Sequence, residues 1–147
     1  MPRVGDQAVS NPIDQRLRIL IAEDHPLIRK QVRSILEHNY DRFEVCGEAQ
    51  DGVEALAKVR ELSPDVVILD LTMPVMGGFD TVKRIRRVAP ATRIVLFSIH
   101  ETPTTARLVG ADAFVSKSSC AQDLARTIHQ VVAGDGFPRP PLAQSAG

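Results

Sequence analysis

A chain of 147 residues with a formal net charge of zero and 44% hydrophobic residues has the size of one domain, and such a domain buries roughly two-thirds of its unfolded surface. Its 18 basic and 18 acidic residues balance, which argues against a dedicated nucleic-acid or membrane binder, because attraction to phosphates needs clustered excess Lys and Arg. The N-terminus has no apolar signal core and no run approaches the length of a membrane span, so no membrane association and a cytoplasmic location are the default expectations.

Residues 1–16 carry Pro2, Gly5, Ser10, Asn11 and Pro12 without an apolar period, and are expected to be a disordered lead-in. The first strand is predicted at Arg18–Ala22. Ile28, Val32, Ile35 and Leu36 then form one helical stripe. A second strand is predicted at Phe43–Cys46. Asp51 with Glu54 marks the start of the next helix, with Asp51 as N-cap. Ser63-Pro64 ends that helix, because the residue before proline is pushed out of the α region.

The third strand, Val66–Leu69, is apolar throughout and so expected to be central. Gly77-Gly78 opens a helix with Val82, Ile85 and Ala89 inward, closed by Pro90. Strand four follows at Arg93–Phe97. A short helix is expected from a Thr102 cap and Pro103 to Gly110, then strand five at Ala113–Val115. Ser119 and Gln122 read as a capping box for a last helix with Leu124, Ile128, Val131 and Val132 inward, ending before Gly134. Residues 135–147, with Pro138, Pro140 and Pro141, are expected to be a flexible tail.

Five strands alternating with five helices imply an α/β fold, a doubly wound parallel sheet with right-handed crossovers. Alternation alone leaves the strand order open. Two basic clusters, Arg84 with Arg86-Arg87 and Arg29-Lys30 with Arg33, read as solvated helix faces. Cys46 and Cys120 have no metal or redox spacing and read as reduced thiols.

Four of the apolar runs end on reactive polar residues: Glu23-Asp24, Asp70, Ser98 and Lys117. In an open α/β sheet the functional crevice lies at the carboxyl ends of the strands. Three carboxylates, a hydroxyl and an ammonium are therefore expected at one edge. That set suits binding a divalent cation and handling a phosphoryl group.

The segments Ile21-Ala-Glu23-Asp24-His-Pro26, Asp70-Leu-Thr-Met-Pro-Val-Met-Gly-Gly78, Phe97-Ser-Ile-His100 and Phe114-Val-Ser-Lys117 resemble the receiver domain of bacterial two-component response regulators, nearest the LuxR/NarL type. The resemblance covers roughly residues 17–134, the expected receiver domain, and implies the flavodoxin-like strand order 2-1-3-4-5 for the five-stranded parallel sheet and its five flanking helices.

The resemblance implies that Asp70 accepts a phosphoryl group from a sensor histidine kinase or phosphotransfer protein, giving an acyl phosphate. It also implies a Mg²⁺ cofactor held by Asp24, Asp70 and the main-chain carbonyl of Thr72, with Glu23 acting through water. Lys117 and Ser98 are expected to hold phosphoryl oxygens. Ser98 and Phe114 would form the switch pair, moving together so that the face of helix 4, strand 5 and helix 5 changes. Thr72, Ile99 and His100 are expected to tune the lifetime of the acyl phosphate, Ile99 by restricting access. His25 is expected to shape the first loop rather than bind metal. Pro74 and Gly77-Gly78 would shape the loop after Asp70.

The stretch from Ser98 to Lys117 is about one helical turn shorter than is usual in that family. Pro103 and Thr104-Thr105 weaken its helix, so dimerisation through it is not expected and a monomer or weak homodimer is. A stand-alone receiver acting on an unidentified protein partner, without direct nucleic-acid contact, is preferred to a fragment of a LuxR/NarL-type transcription regulator or a phosphorylation-independent docking domain. No enzyme is expected beyond self-phosphorylation and autodephosphorylation. A haloacid-dehalogenase-type phosphatase needs a second Asp two residues after the nucleophile, where this chain has Thr72.

Overall fold

A computed structural model describes residues 16–38, 42–73, 75–99, 103–119 and 121–136. The described elements alternate as β1 (Leu17–Ala22), α1 (Pro26–Glu37), β2 (Phe43–Ala49), α2 (Gly52–Leu62), β3 (Val66–Leu69), α3 (Gly78–Val88), β4 (Arg93–Ser98), α4 (Pro103–Leu108), β5 (Ala113–Ser116) and α5 (Ala121–Val132). The five strands pair in parallel in the order 2-1-3-4-5. All but the last residue of the expected lead-in and most of the expected tail lie outside the described residues, as do Thr102, Cys120, Pro74 and His100.

Side chains alternate across the sheet and so divide the core into two layers. Leu20, Ala22, Val67, Leu69, Ile94 and Leu96 pack with Ala55, Val59, Val82 and Ile85 of α2 and α3. Ile19, Ile21, Val66, Ile68, Val95 and Phe97 pack with Val32 and Leu36 of α1 and Leu124, Ile128 and Val131 of α5. Each such buried aliphatic side chain contributes about 1.5–3 kcal/mol. Burial on both faces explains why β3 reads as an unbroken apolar run.

β2 is three residues longer than its apolar pattern suggested. Ile19 pairs with Val45 but Leu20 with Gly47, so Cys46 is an extra residue in the ladder. The irregularity lets Gly47, Glu48 and Ala49 continue beside β1. Backbone pairing with an already placed neighbour overrides local propensity here.

The α2 start is as the sequence indicated. Asp51 accepts a hydrogen bond from Glu54 N–H at 2.8 Å, and Glu54 Oε1 reaches back to Gln50 N–H at 2.8 Å. Asp51→Ala should lower stability by about 1 kcal/mol, and an unchanged urea midpoint would contradict the cap's role. At the other end of the chain, α5 begins at Ala121, and the residue before it lies outside the described residues.

α4 has only six residues, in keeping with the short Ser98–Lys117 interval. Gly110 follows it with φ +93°, a left-handed conformation that glycine adopts without penalty. In α3, Val82 and Ile85 point inward as expected, whereas Ala89 is only half-buried at the C-cap.

One basic residue departs from the solvated-face reading. Arg86 is 6% exposed. Its guanidinium donates to Gly110 O at 3.0 Å, Thr92 O at 2.9 Å and Asp112 Oδ2 at 2.6 Å. Helical periodicity marks which residues face the sheet, but an arginine can occupy such a position when carbonyls and a carboxylate meet its planar fork. Arg29 and Arg33 are also engaged, both pairing with Glu48. Burial acts to raise the Glu48 carboxyl, but Arg33 and Arg29 outweigh it and hold it below the usual value.

Candidate functional site

The ladder hydrogen bonds run one residue past the strand ends, and this fixes the site. Glu23 N–H donates to Ala49 O at 2.9 Å, Asp70 N–H to Ala22 O at 3.0 Å, and Lys117 N–H to Ser98 O at 3.0 Å. Since Ala22 pairs with Leu69 and Leu69 with Leu96, the residues that follow them meet at one carboxyl edge of the sheet.

Glu23 is 2% exposed and Asp70 1%. Lys117 Nζ lies 2.9 Å from Glu23 Oε1 and 3.2 Å from Asp70 Oδ2, bridging the two buried carboxylates. The ammonium also stands 5.9 Å from the Phe97 ring centroid, over a face that favours a cation. Burial, with the nearby charge of Asp70, pushes the Glu23 carboxyl above the usual carboxylate range, while Lys117 opposes the shift.

Glu23, Asp24, His25 and Asp70 each bring a ligand atom within 4.8 Å of the others. Asp24 is nearer the surface than Glu23. His25 Nδ1 sits 3.1 Å from both Glu23 Oε2 and Asp24 Oδ1. The bond with Glu23 and the charge of Asp24 raise the imidazole above its ordinary value. His25 therefore enters the cluster and does more than shape the first loop. Among the described residues, Glu23 Oε1 and Asp24 Oδ1 accept no well-directed hydrogen bond, although nitrogen atoms lie close to them. Buried carboxylate oxygens left without directed donors, in a set of hard ligands, fit a divalent cation.

Thr72 touches Asp70 directly. Its main-chain N–H donates to Asp70 Oδ1 at 3.1 Å, and its hydroxyl lies 3.0 and 3.1 Å from the two carboxylate oxygens. That hydroxyl contact was not foreseen; the spacing of two residues, which permits an Asx-type turn, was its only signal. In the same loop Val75 has φ +74°, a conformation that costs a β-branched residue about 1–3 kcal/mol. Gly78 is needed for packing, since a Cβ there would lie 2.5 Å from Leu71 Cα, whereas one on Gly77 would meet open space.

Ser98 is buried at the end of β4, paired in register with Ser116. Phe114 is half-buried against the layer that contains α2 and α3. Ile99 is exposed and lines a groove of about 610 Å³ with Ile28, Phe97, Lys117 and Ser119.

Arg29 is a residue that the sequence gave no reason to single out for the site. Its guanidinium donates to the main-chain carbonyl of Glu23 at 2.6 Å and to Glu48 Oε1 at 2.8 Å, tying the acidic loop to β2.

Residues 19–129 match the family of the response regulator receiver domain. The chain is 36% identical over 120 residues to the nitrate/nitrite response regulator protein NarL of Escherichia coli K12, a match covering 80% of this chain and 55% of NarL. Among solved structures, a two-component response regulator of the LuxR family from Aurantimonas sp. SI85-9A1 superposes with a TM-score of 0.76 and 35% identity, over 88% of this chain and 94% of that one. The signal receiver domain of the putative response regulator NarL from Mycobacterium tuberculosis gives 0.76 and 32%, over 82% and 98%. The chain spans 55% to 61% of the length of the first curated relatives it matches.

Proposed function

The chain belongs to the response regulator receiver domain family, of the NarL/LuxR type, and from that premise we propose that Asp70 is its phosphoryl acceptor, within a receiver spanning residues 17–134. The carrying observation is the pair of buried carboxylates, Glu23 and Asp70, bridged by a single ammonium from Lys117.

Receiver domains act with histidine kinases or other phosphodonors. In this reading the Asp70 carboxylate attacks the phosphorus of a phosphohistidine. The P–N bond breaks as a P–O bond forms, and the imidazole nitrogen keeps the electron pair and gains a proton. Two anionic groups must approach, so positioned positive charge governs the rate. Lys117, already 3.2 Å from Asp70 Oδ2, supplies one such charge. Thr72 holds the carboxylate in place through its N–H and hydroxyl. Ser98 is assigned a second phosphoryl oxygen, and Phe114 the ring movement that follows it.

Asp24, Asp70 and the Thr72 carbonyl would hold Mg²⁺, with Glu23 acting through water. When bound, Mg²⁺ would neutralise charge between the carboxylate and the phosphoryl group. No catalytic turnover beyond self-phosphorylation and its reversal by water is assigned. Thr72, Ile99 and His100 are assigned the tuning of the acyl-phosphate lifetime; His100 lies outside the described residues. Among the described residues no helix is long and apolar enough to cross a membrane.

The test is incubation with acetyl phosphate and Mg²⁺ followed by intact-mass measurement. One added phosphoryl group is expected, located on Asp70 by peptide mapping and absent when Mg²⁺ is chelated. No mass gain, or a label elsewhere, would overturn the assignment.

The raised Glu23 pKa fixes the direction of a pH effect. A carboxyl whose folded pKa exceeds its unfolded one favours the fold below its unfolded pKa, and that contribution is lost as pH rises through the folded pKa. Since a cation binds the ionised form, protons and Mg²⁺ compete. Mg²⁺ affinity should therefore begin to fall on acidification at a pH above the ordinary carboxylate range. Titration calorimetry across that interval checks it, and a flat affinity down to pH 4.5, the reference value for Glu, would refute it.

A further inference from the structure

His25 occupies the N-cap position of α1, where Ser, Thr, Asp and Asn are favoured because their side chains bond the first free N–H groups. Its side chain makes no such bond. The residue is 62% exposed, yet the ring turns inward, toward the carboxylates. Nδ1 stands 3.1 Å from Glu23 Oε2 and 3.1 Å from Asp24 Oδ1, so three consecutive residues bring one nitrogen and two oxygens together.

The spacing is informative. Around an octahedral ion with ligands at about 2.1 Å, neighbouring donors lie roughly 3.0 Å apart. Both His25 contacts match that edge. A hydrogen bond explains only one of them: Nδ1 and Glu23 Oε2 are aligned for it, whereas Asp24 Oδ1 accepts no directed hydrogen bond among the described residues. Glu23 is nine-tenths buried, and its Oε1, although ion-paired with the Lys117 ammonium at 2.9 Å, accepts no directed hydrogen bond among the described residues. The cluster thus combines a nitrogen ligand with under-satisfied carboxylate oxygens that converge within 4.8 Å.

We propose that His25 Nδ1 is a ligand in this pocket for borderline divalent transition ions of the Co²⁺, Ni²⁺ and Zn²⁺ class, alongside Asp24 and Asp70, with Glu23 acting through water. The proposal rests on reading the acidic pocket as a cation site and adds a nitrogen ligand to it. Magnesium prefers oxygen and keeps several waters, so the imidazole would contribute little to it. Imidazole suits the later first-row ions, whose affinities already exceed those of the earlier ones at a mixed nitrogen and oxygen site. The pocket would therefore discriminate among divalent cations, and one residue would set the discrimination.

The test is titration of the full chain with Co²⁺ and, separately, Mg²⁺, following heat and the visible Co²⁺ spectrum, for the wild type, His25→Gln and Asp24→Asn. The wild type should bind Co²⁺ at a site from which Mg²⁺ displaces it. His25→Gln should weaken Co²⁺ by about tenfold or more, shift its visible bands, and change Mg²⁺ affinity less than about twofold. Asp24→Asn should weaken both ions. Equal Co²⁺ affinity and unchanged bands in His25→Gln would overturn the proposal and leave the Mg²⁺ site standing. So would parallel weakening of both ions, which would make His25 a positioning residue for the carboxylates. If the wild type took up neither ion, the cation reading of the pocket would fall too.

Discussion

Replacing Asp70 by Asn is expected to abolish phosphoryl incorporation and, in the absence of metal, to raise the melting temperature. The isostere keeps one oxygen, which can still accept from the Thr72 N–H and hydroxyl, while its NH2 replaces Oδ2, the atom that faces Lys117, so the bonding to Thr72 survives and Lys117 is left to Glu23. What disappears is one of two buried anionic groups that share a single ammonium with Glu23. Relief of that repulsion should stabilise the fold by about 1 kcal/mol, the usual scale when a destabilising functional charge is removed. Adding Mg²⁺ should reverse the order. The wild type would gain about 2.7 kcal/mol at a concentration one hundred times its Kd, while the Asn variant, short of a ligand, gains less. Thermal melts of both proteins across a Mg²⁺ series give the answer. A variant less stable than the wild type without metal would show that the Asp70 charge is already fully compensated.

Arg86→Met should be the more damaging change to the fold, costing about 3–5 kcal/mol. The loss is electrostatic and not volumetric, since Met fills similar space. Asp112 is 2% exposed and would keep its charge after losing the guanidinium that donates to it at 2.6 Å. The carbonyls of Thr92 and Gly110 would also each lose a donor. A fall in melting temperature on the order of 10 °C follows for a domain of this size. The decisive comparison is Arg86→Met combined with Asp112→Asn. The amide oxygen can still accept from Ile94 N–H, which now donates to Asp112 Oδ2 at 2.7 Å, and the buried anion is gone. The double variant should recover much of the loss in urea unfolding. If it is no more stable than the single variant, the buried charge is not the cause.

This pair bears on how much a sequence discloses. A charged residue two helical turns into an amphipathic pattern reads as solvated, because most are. Arg86 is buried only because the carbonyl of Gly110, the carbonyl of Thr92 and the carboxylate of Asp112 arrive together from two other segments. Those segments are 6 to 26 residues away in the chain, so no local window contains the partners. The same holds for the extension of β2 past Cys46, which depends on pairing with β1. By contrast the Asp51 cap lies within four residues of its acceptor and donor partners, and was legible at once.

The candidate site divides in the same way. Asp70, Glu23, Asp24, Ser98 and Lys117 were visible as polar residues ending apolar runs, since a parallel strand buried on both faces must stop where polarity resumes. Which acid lies deep was not visible: Glu23 and Asp24 are adjacent and chemically alike, yet Glu23 is the one facing Lys117. His25 offered no spacing signal, and only the turn of its ring placed it against two carboxylates.

Local chemistry along the chain therefore settled the alternation of strands and helices, the Asp51 cap and the set of polar residues at one edge, because hydrophobic period and capping depend on near neighbours. The tertiary structure alone decided strand register, the burial of Arg86, the bridge from Lys117 to both acids and the place of His25. Those features depend on atoms that are distant in sequence and meet only when the sheet closes.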